Sequence, residues 1–371
     1  MKLKKLKKAL KKTTQTESIL RELIEEKQVK SQGEYPTSTD VSGAYAVIWD
    51  YEKEGTKITR AGLAENFEDP RPALNISEKG SSPFDEIMPW AGMRRSVHLG
   101  TNSVNDIMVT IPEFWYTAIK DEANHRWIWA VSPAEKEGYC KHPGSGREIG
   151  AYHTSRKNGT VASAEGEIPL TDTTWDEFKK ISSEKGEGWG MMDIATWSAV
   201  QLLYLIEFAD FDSVKTLGTG YKSDEWELGR TGDTGEALYH TMKAFGASNK
   251  YRNIEDPFSN CLDWIDGFRG NRNGCKVNDK KTGFGLASDG WIANFGYSTA
   301  APWAFIPSES TDDEDAHIPD YTWSWPKGYG KRPAYVGGYY SSNRHCGLFY
   351  FNALSNASGT GAYLGSRLQK T

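Results

Sequence analysis

Two carboxylate residues, Asp263 and Asp266, flank Trp264, and carboxylates this close together could act as a general acid and a general base. Beside a tryptophan that we expect to be buried, such residues more often hold turns through hydrogen bonds to the backbone. Two motifs that would name a reaction are incomplete. Residues 218–223 lack the glycine spacing and the Gly-Lys step of a phosphate-binding loop. Residues 296–300 lack the last glycine of a nucleophile elbow, so no motif predicts an enzyme.

Two other groups contain side chains that can bind metals. Cys140 and His142 could supply two ligands, but a closed site needs two more at a known spacing. The acidic run 312–315 with His317 could hold a hard cation, yet it lacks the alternating ligands and the glycine of a calcium loop. A solvated acidic loop is the favoured interpretation. We therefore predict neither a metal site nor a cofactor.

The composition restricts what the protein can be. The chain has 371 residues, of which 38% are hydrophobic and 25% charged, and a formal net charge of -6. These values indicate a folded protein with a sizeable core, and the negative charge argues against coating nucleic acid. Four cysteines, without a CxxC pair, are expected to be buried or free thiols. With no apolar stretch of membrane-spanning length and no signal peptide, we expect no membrane insertion, and either a cytoplasmic location or release within an assembled particle.

The elements that would position a site can be read along the chain. Leucines at three and four spacing predict a helical anchor or oligomerisation segment over 1–32, with a solvated basic tail as the alternative. A strand is predicted at 44–51, within a small β-containing module over 36–100. Two β-rich runs, 107–119 and 125–132, are predicted to form a hairpin, and residues 101–371 the main domain.

Two helices and several turns are predicted in the middle of the chain. Thr174 and Glu177 have the spacing of a capping box and should begin a short helix that ends before Gly186. Residues 193–208 are apolar nearly all round, which predicts one long buried helix. A short strand is expected at 148–152, followed by a turn at 156–159.

The terminal stretch, 335–368, interleaves apolar residues with Tyr, Ser, Asn, Arg and His, and Gly-Gly and Gly-Thr-Gly steps interrupt it. This punctuation is typical of short strands with exposed loops. Tyrosine gives a large contact area at a low cost in entropy, while Ser, Gly and Asn adapt their hydrogen bonds, so binding loops use these residues. The stretch therefore predicts a ligand-recognition surface.

Several segments resemble a known family. Asn260-Cys-Leu-Asp-Trp264, followed by Asp266-Gly267, resembles the GN-x-x-EW signature of C-type-lectin-like domains of the formylglycine-generating-enzyme type. Residues 365–368, GSRL, resemble the family's closing GFRL strand, and residues 337–340, GGYY, stand where it has RGGSW. The segments IPEFWY, HPGSGREIGAY, GWGMMDIATWSAVQLLYLIEF and YRNIEDPFSN look like tail-fibre and receptor-binding proteins of phages and prophages from Gram-positive hosts. The resemblance runs from about residue 85 to 370.

The terminal stretch looks like the variable region of proteins diversified by retroelements, and the resemblance implies an α+β, C-type-lectin-like fold with short strands, one long buried helix and many loops. In that family a rigid frame carries exposed, variable side chains. The frame would comprise Val336, Gly337, Gly338, Gly347, Phe349, Phe351, Gly365, Arg367 and Leu368. The exposed ligand-binding positions would be Tyr339, Tyr340, Ser342, Asn343, Arg344, His345, Tyr350, Asn352, Asn356, Thr360 and Tyr363. The alternative is that these are ordinary polar loop residues.

The function implied by the resemblance is binding without catalysis. The partner would be a bacterial cell-surface receptor, protein or glycan, and the protein would be part of a virion. Residues 1–32 would contact other virion or tail proteins, and several copies would assemble as a homo-oligomer. Trp323, Trp325 and Tyr329 would extend the aromatic surface or be buried.

Two alternatives remain. A structural virion decoration or tail protein would bury the same loops against another subunit. A modifying enzyme on the same scaffold would need the family's pair of nearby cysteines, whereas the C-terminal region of this chain has only Cys346. A reused scaffold often loses its original chemistry, which favours binding.

Overall fold

A computed structural model of the protein describes residues 35–52, 58–325, 330–342 and 345–371. The predicted helical segment at 1–32 lies outside these ranges. The described residues form six sheets, one of nine strands, two of five and three of two. They also form three α helices, so the described part of the chain is mostly β with short strands, whereas the resemblance predicted an α+β fold.

The elements have the following bounds. The helices are α1 (Trp175–Ser183), α2 (Ile194–Phe208) and α3 (Ser213–Leu217). The strands of the first half are β1 (Tyr45–Asp50), β2 (Thr59–Gly62), β3 (Arg95–His98), β4 (Asp106–Ile111), β5 (Trp115–Asp121), β6 (Arg126–Ser132), β7 (Cys140–Lys141), β8 (Arg147–Gly150), β9 (Ser155–Lys157), β10 (Thr160–Ala162) and β11 (Trp189–Met191). Those of the second half are β12 (Gly220–Tyr221), β13 (Phe245–Gly246), β14 (Lys250–Tyr251), β15 (Ile254–Glu255), β16 (Leu262–Asn271), β17 (Gly274–Val277), β18 (Lys280–Lys281), β19 (Gly290–Phe295), β20 (Pro307–Thr311), β21 (Ile318–Ser324), β22 (Arg332–Gly337), β23 (Gly347–Ala353), β24 (Leu364–Ser366) and β25 (Leu368–Lys370).

The predicted strand at 44–51 is confirmed as β1, and it pairs with both β2 and β6. The hairpin predicted from the runs 107–119 and 125–132 is confirmed in part, because β5 and β6 are antiparallel neighbours joined by residues 122–125. The run 107–119, however, is two strands. Pro112 lies between them, and β4 enters the sheet of β3, β8, β11 and β25 while β5 enters that of β1, β2, β6 and β7.

Strand pairs also cross residue 100, where the sequence placed the end of a small N-terminal module. β1 pairs with β6, and β3 pairs with β4. One hydrophobic core cluster runs from Val47 and Trp49 through the long helix to Phe351 and Ala353. Residues before and after position 100 therefore share sheets and core.

The long buried helix is confirmed as α2, and all 15 of its residues are buried. Asp193 caps its first turn by accepting a hydrogen bond from the Thr196 amide at 2.8 Å. The helix contacts β16, β6 and β1. A helix covered on all sides needs no polar face, which explains its nearly continuous apolar sequence.

The shorter predictions also hold. The Thr174 hydroxyl accepts from the Glu177 amide at 3.2 Å, and the Glu177 carboxylate accepts from the Thr174 amide at 3.0 Å, which confirms the capping box of α1. The strand expected at 148–152 is β8, and the turn at 156–159 joins β9 to β10. All four cysteines are free thiols. None of the described helices has the length and apolar content that crossing a membrane requires.

The chain's end connects two sheets. β22 and β23 lie near the middle of the nine-stranded sheet, and β24 pairs in parallel with β16 in the same sheet. Two residues later, β25 pairs with β8 and β11 in the five-stranded sheet that also contains β3 and β4. The loops of the terminal stretch therefore start and finish on fixed strands.

Candidate ligand-binding surface

The Gly337-Gly338 step directs the chain out of β22 into the terminal loops. Both residues have positive φ angles, 89° and 80°, which side chains other than glycine rarely adopt. A Cβ atom at Gly338 would lie 2.4 Å from the Cβ of Cys346. The two glycines therefore let the loop approach the start of β23 closely, and half-buried Tyr339 directly follows them.

A buried ion pair holds the other end of the terminal stretch. Arg367 donates from Nε to Oδ2 of Asp263 at 2.9 Å, and His153 Nδ1 lies 3.0 Å from Oδ1 of the same carboxylate. Arg367 also donates to the carbonyl oxygens of Glu255 and Asp256, at 2.7 and 2.5 Å. Burial raises the pKa of Asp263, but His153 and Arg367 outweigh it and hold that pKa below its ordinary value. The motif residues Asp263 and Arg367 are thus parts of the frame.

Three tyrosines form what we call the terminal aromatic cluster: Tyr339, Tyr340 and Tyr363. The rings of Tyr339 and Tyr363 stack with centroids 4.5 Å apart and planes 23° apart, and Tyr340 meets Tyr339 edge-on at 5.2 Å. Tyr363 is exposed and Tyr339 half-buried. Within the cluster, Tyr339 packs on the buried group that contains Tyr335, Tyr350 and Trp264. The cluster presents flat aromatic area on a fixed base, as binding surfaces do.

A second aromatic cluster consists of Trp291 on β19, Tyr321 and Trp323 on β21, and His345 just before β23. The Tyr321 ring is 4.6 Å from Trp323 and 4.9 Å from His345. His345 also meets Trp291 at 5.0 Å. Tyr321, Trp323 and Tyr339 pack against the same buried group, so the two clusters share one support.

The structure places the predicted ligand-binding residues in three different environments. Asn356, Thr360 and Tyr363 are exposed, and Tyr339 and His345 are half-buried. Asn343 and Arg344 lie outside the described residues. The structure brings Tyr339 and Tyr363 into contact, and it places His345 in the second cluster instead.

Four of the predicted positions are not exposed, which corrects the expectation drawn from their polarity. Their relative exposures are 3% for Tyr340, 8% for Ser342, 4% for Tyr350 and 5% for Asn352. β23 lies between β22 and β21, so both edges of the strand are paired, and its side chains pack into two core clusters, so that all seven of its residues are buried. The side-chain amide of Asn352 donates from Nδ2 to the Tyr350 hydroxyl at 2.9 Å, which gives these polar groups a partner inside the protein.

Ser342 and Tyr340 are buried for local reasons. The Ser342 hydroxyl accepts a hydrogen bond from the Tyr339 amide at 2.8 Å and closes the turn after Gly338. The Tyr340 amide donates to the Asn260 carbonyl at 3.2 Å, which draws this residue toward the motif that begins at Asn260. These side chains shape the surface from beneath.

Sequence reasoning missed Trp226. Its side chain is 67% exposed and meets Tyr340 edge-on at 6.5 Å, next to the terminal aromatic cluster. The available signal was a single tryptophan surrounded by acidic residues, Asp-Glu-Trp-Glu, where no buried strand or helix is expected. Of the three aromatic residues predicted as an extension, Trp323 is half-buried in the second cluster and Tyr329 lies outside the described residues. Trp325 is half-buried and donates to the Leu354 carbonyl.

The other candidate residues have structural roles. His142 is buried among Phe114, Tyr116 and Trp303, and burial lowers its pKa to about 3. Asp266 forms an ion pair with Lys179 at 2.8 Å. Within the described ranges, no three His, Cys, Asp or Glu side chains are grouped as metal ligands would be.

Cys346 does not have the environment of a reactive thiol. It is buried beside Gly338, and burial raises its pKa to about 11, although Lys222 acts in the opposite direction. Reactivity and metal binding require the thiolate, which this environment disfavours.

Comparison with solved structures finds distant similarities. The U1 variant of the Major Tropism Determinant is 13% identical, with 91% of this chain and 74% of that chain covered and a TM-score of 0.31. Variable protein 1 of Treponema denticola is 10% identical, with 74% and 98% covered and a TM-score of 0.32. PvdO of Pseudomonas aeruginosa is 10% identical, with 74% and 97% covered and a TM-score of 0.26.

One of these structures, that from Treponema denticola, is named a variable protein. No protein-family profile matches the chain, and no curated protein sequence matches it. At TM-scores near 0.3 these similarities assign no role to any residue of this chain. The functional roles below depend on the contacts of its own side chains.

Proposed function

We propose that this protein binds a component of a bacterial cell surface, protein or glycan, through the terminal aromatic cluster and the neighbouring second aromatic cluster. By the sequence resemblance it would be a receptor-binding protein of a phage or prophage tail, located in the virion. The observation that carries the proposal is the exposed stack of Tyr363 on Tyr339, which rests on buried aromatic residues. Amphipathic rings of this kind supply most of the energy in many binding interfaces.

The frame beneath the surface supports this function. Gly338 and the Arg367–Asp263 pair fix both ends of the terminal stretch, so that substitutions on its exposed side would leave the fold intact. Asn356 and Thr360 lie on the exposed loop before Tyr363 and offer adaptable hydrogen-bonding groups. A binding surface built in this way could change its ligand without a change in its scaffold.

The remaining parts of the proposal concern assembly. Residues 1–32 would attach the protein to other virion or tail proteins and would favour a homo-oligomer. Several copies on one particle would bind a cell by avidity, and linked sites can raise the apparent affinity by roughly 10²–10⁴-fold. A weak single site would then be sufficient.

Cell binding tests the proposal. The labelled full chain is applied to a panel of intact Gram-positive bacteria, with Tyr339→Ala/Tyr363→Ala as the variant and Tyr35→Ala as the matched control. Tyr35 is also exposed but lies beside Cys140, away from the clusters. The wild-type and the control should bind at least one strain, and the double variant should bind about tenfold less or weaker. Equal binding by all three proteins, or no binding to any strain, would contradict the proposal.

Two further observations distinguish the alternatives. If the protein is a decoration whose loops face another subunit, a thiol placed by Tyr363→Cys would be protected in assembled particles, whereas an outward surface leaves it reactive.

If the terminal codons are diversified, the gene should be followed by an adenine-poor imperfect repeat near a reverse transcriptase gene. The lack of any such repeat would remove diversification from the proposal.

A further inference from the structure

Trp226 occupies an unusual position for a large apolar residue. It is 67% exposed, and its φ angle of 62° lies in the left-handed region, where bulky residues are rare. The Ser223 hydroxyl accepts hydrogen bonds from the amides of Glu225 and Glu227, at 3.2 and 3.3 Å, and so fixes the turn that carries the indole. An exposed ring gains little from burial in the free protein, and backbone strain of this kind is typical of functional positions.

The Trp226 ring continues the terminal aromatic cluster. It meets Tyr340 edge-on at 6.5 Å, and from Tyr340 the contacts pass to Tyr339 at 5.2 Å and to Tyr363 at 4.5 Å. Three of these four rings are at least partly accessible, with Tyr340 as the buried link between them. A ligand placed on Tyr339 and Tyr363 would therefore also reach the indole.

The turn around Trp226 is strongly acidic. Asp224, Glu225 and Glu227 are all exposed beside the ring. The two basic residues nearest in sequence are each in contact with other groups. Lys222 is half-buried with its Nζ atom 3.9 Å from the sulfur of Cys346, and Arg230 donates to the Gly166 carbonyl at 2.8 Å. The indole is thus presented with a negative rim.

Carboxylates also lie near the second aromatic cluster. The pKa of Tyr321 is raised, first by burial and then by the negative charges of Asp289 and Asp312. Asp289 is paired with Arg272 at 2.9 Å, whereas Asp312 belongs to the exposed acidic loop. Acidic groups therefore lie near both aromatic clusters.

We infer that Trp226 belongs to the binding surface, and that this surface takes a lysine- or arginine-bearing segment of a protein. A cation over an aromatic face and beside a carboxylate is attracted by both groups, and complementary charge also steers the encounter. A neutral glycan gains nothing from the acidic rim, and an anionic wall polymer is repelled by it. The inference deepens the proposed function and rests on it, because it names the class of ligand for the same surface.

The test uses two fluorescein-labelled peptides of equal length, one of repeated Lys-Gly-Ser and one of repeated Glu-Gly-Ser, with the full-length protein in a polarisation assay at low salt. The lysine peptide should bind, and binding should weaken as salt is added. Trp226→Ala should reduce the affinity about tenfold, and Glu225→Lys/Glu227→Lys about fivefold or more. The matched control is Glu135→Lys/Glu137→Lys, which makes the same change of charge on the exposed loop after β6 and should bind as the wild-type does.

Each outcome decides one of the two claims. Equal binding of both peptides, no binding of the lysine peptide, or equal loss in the control would overturn the inference. Competition by neutral wall-glycan fragments would also overturn it, in favour of a glycan. If cells bind and only Tyr339→Ala/Tyr363→Ala abolishes this, the inference fails and the proposed function stands. If the lysine peptide binds through Trp226 but no cells do, the proposed function fails instead.

Discussion

Arg367 and Asp263, 104 residues apart in the chain, form an ion pair in the interior, with 2.9 Å between Nε and Oδ2. The relative exposures of their side chains are 0% and 2%. The pair connects the segment after β24 to β16, and it is the physical link between two motifs that the sequence alone shows only as short resemblances. Both residues are therefore constrained by the fold, independently of any ligand.

Removal of one partner of this pair should destabilise the protein strongly. Asp263→Asn leaves the Arg367 guanidinium buried without its counter-charge, and such a change typically costs about 3–5 kcal/mol. We expect this loss in the free energy of unfolding, measured by denaturant titration with tryptophan fluorescence.

The matched control is Glu68→Gln, which removes the exposed ion pair with Arg71, where both side chains are at least 80% exposed. That change should cost less than about 1 kcal/mol. Equally small losses for the two variants would mean that the buried pair contributes nothing particular to the frame.

His142 should make the protein sensitive to acid. Burial lowers the pKa of His142 from 6.5 to about 3, so between these values the unfolded chain binds a proton that the folded chain does not. The stabilisation that depends on neutral His142 is therefore complete above pH 6.5 and is lost as the pH falls toward 3, by up to about 1.4 kcal/mol per pH unit. In His142→Asn an amide oxygen replaces the Nδ1 that accepts from the Gly144 amide at 3.1 Å. The part of the change in unfolding free energy with pH that His142 causes should then disappear.

The quantity to compare is the slope of the unfolding free energy against pH, because the smaller asparagine also leaves a cavity that lowers stability at every pH. Unfolding free energies at several pH values between 7 and 4 provide it. His125→Asn is the control, since the His125 side chain is 53% exposed and solvent reaches it in both states. An unchanged slope in His142→Asn would show that the acid sensitivity originates elsewhere.

The sequence predicted best those features that depend on local patterns. The capping box at Thr174, the apolar helix at 194–208 and the strand at 45–50 follow from neighbours a few residues apart. The burial of Tyr350 and Asn352 depends on which strands flank β23, a non-local fact that polar residue types do not reveal. Trp226 was missed for a similar reason, since its partner Tyr340 is 114 positions away in the chain.

Gly338 should tolerate no side chain. An alanine there would combine a positive φ angle with a Cβ atom 2.4 Å from that of Cys346, and we expect a loss of about 3 kcal/mol in stability. Gly246→Ala separates the two effects, because Gly246 has a φ of 75° but no atom within 4 Å of its Cβ position. That control should lose only about 1 kcal/mol. Thermal and denaturant unfolding measure both, and equal losses would exclude a close approach at Gly338.

In the terminal stretch, exposed positions should tolerate substitution and buried positions should not. In a library that varies Tyr350, Asn352, Asn356 and Tyr363 one at a time, most substitutions at the exposed positions 356 and 363 should change stability by less than about 0.5 kcal/mol. Truncation of buried Tyr350 to alanine should cost about 3–5 kcal/mol, because its ring fills the base beneath both aromatic clusters. The resistance of each variant to protease ranks the variants by stability.

The same library separates folding from recognition. Variants at Tyr363 should remain folded and lose cell binding, whereas variants at Tyr350 should lose both together. Tyr350→Phe keeps the ring and removes only the hydroxyl that accepts from Asn352, so it should remain folded and should still bind. If substitutions at Tyr363 were as destabilising as those at Tyr350, the exposed stack would be part of the core, and a surface that changes its ligand without a change in its frame could not exist in this protein.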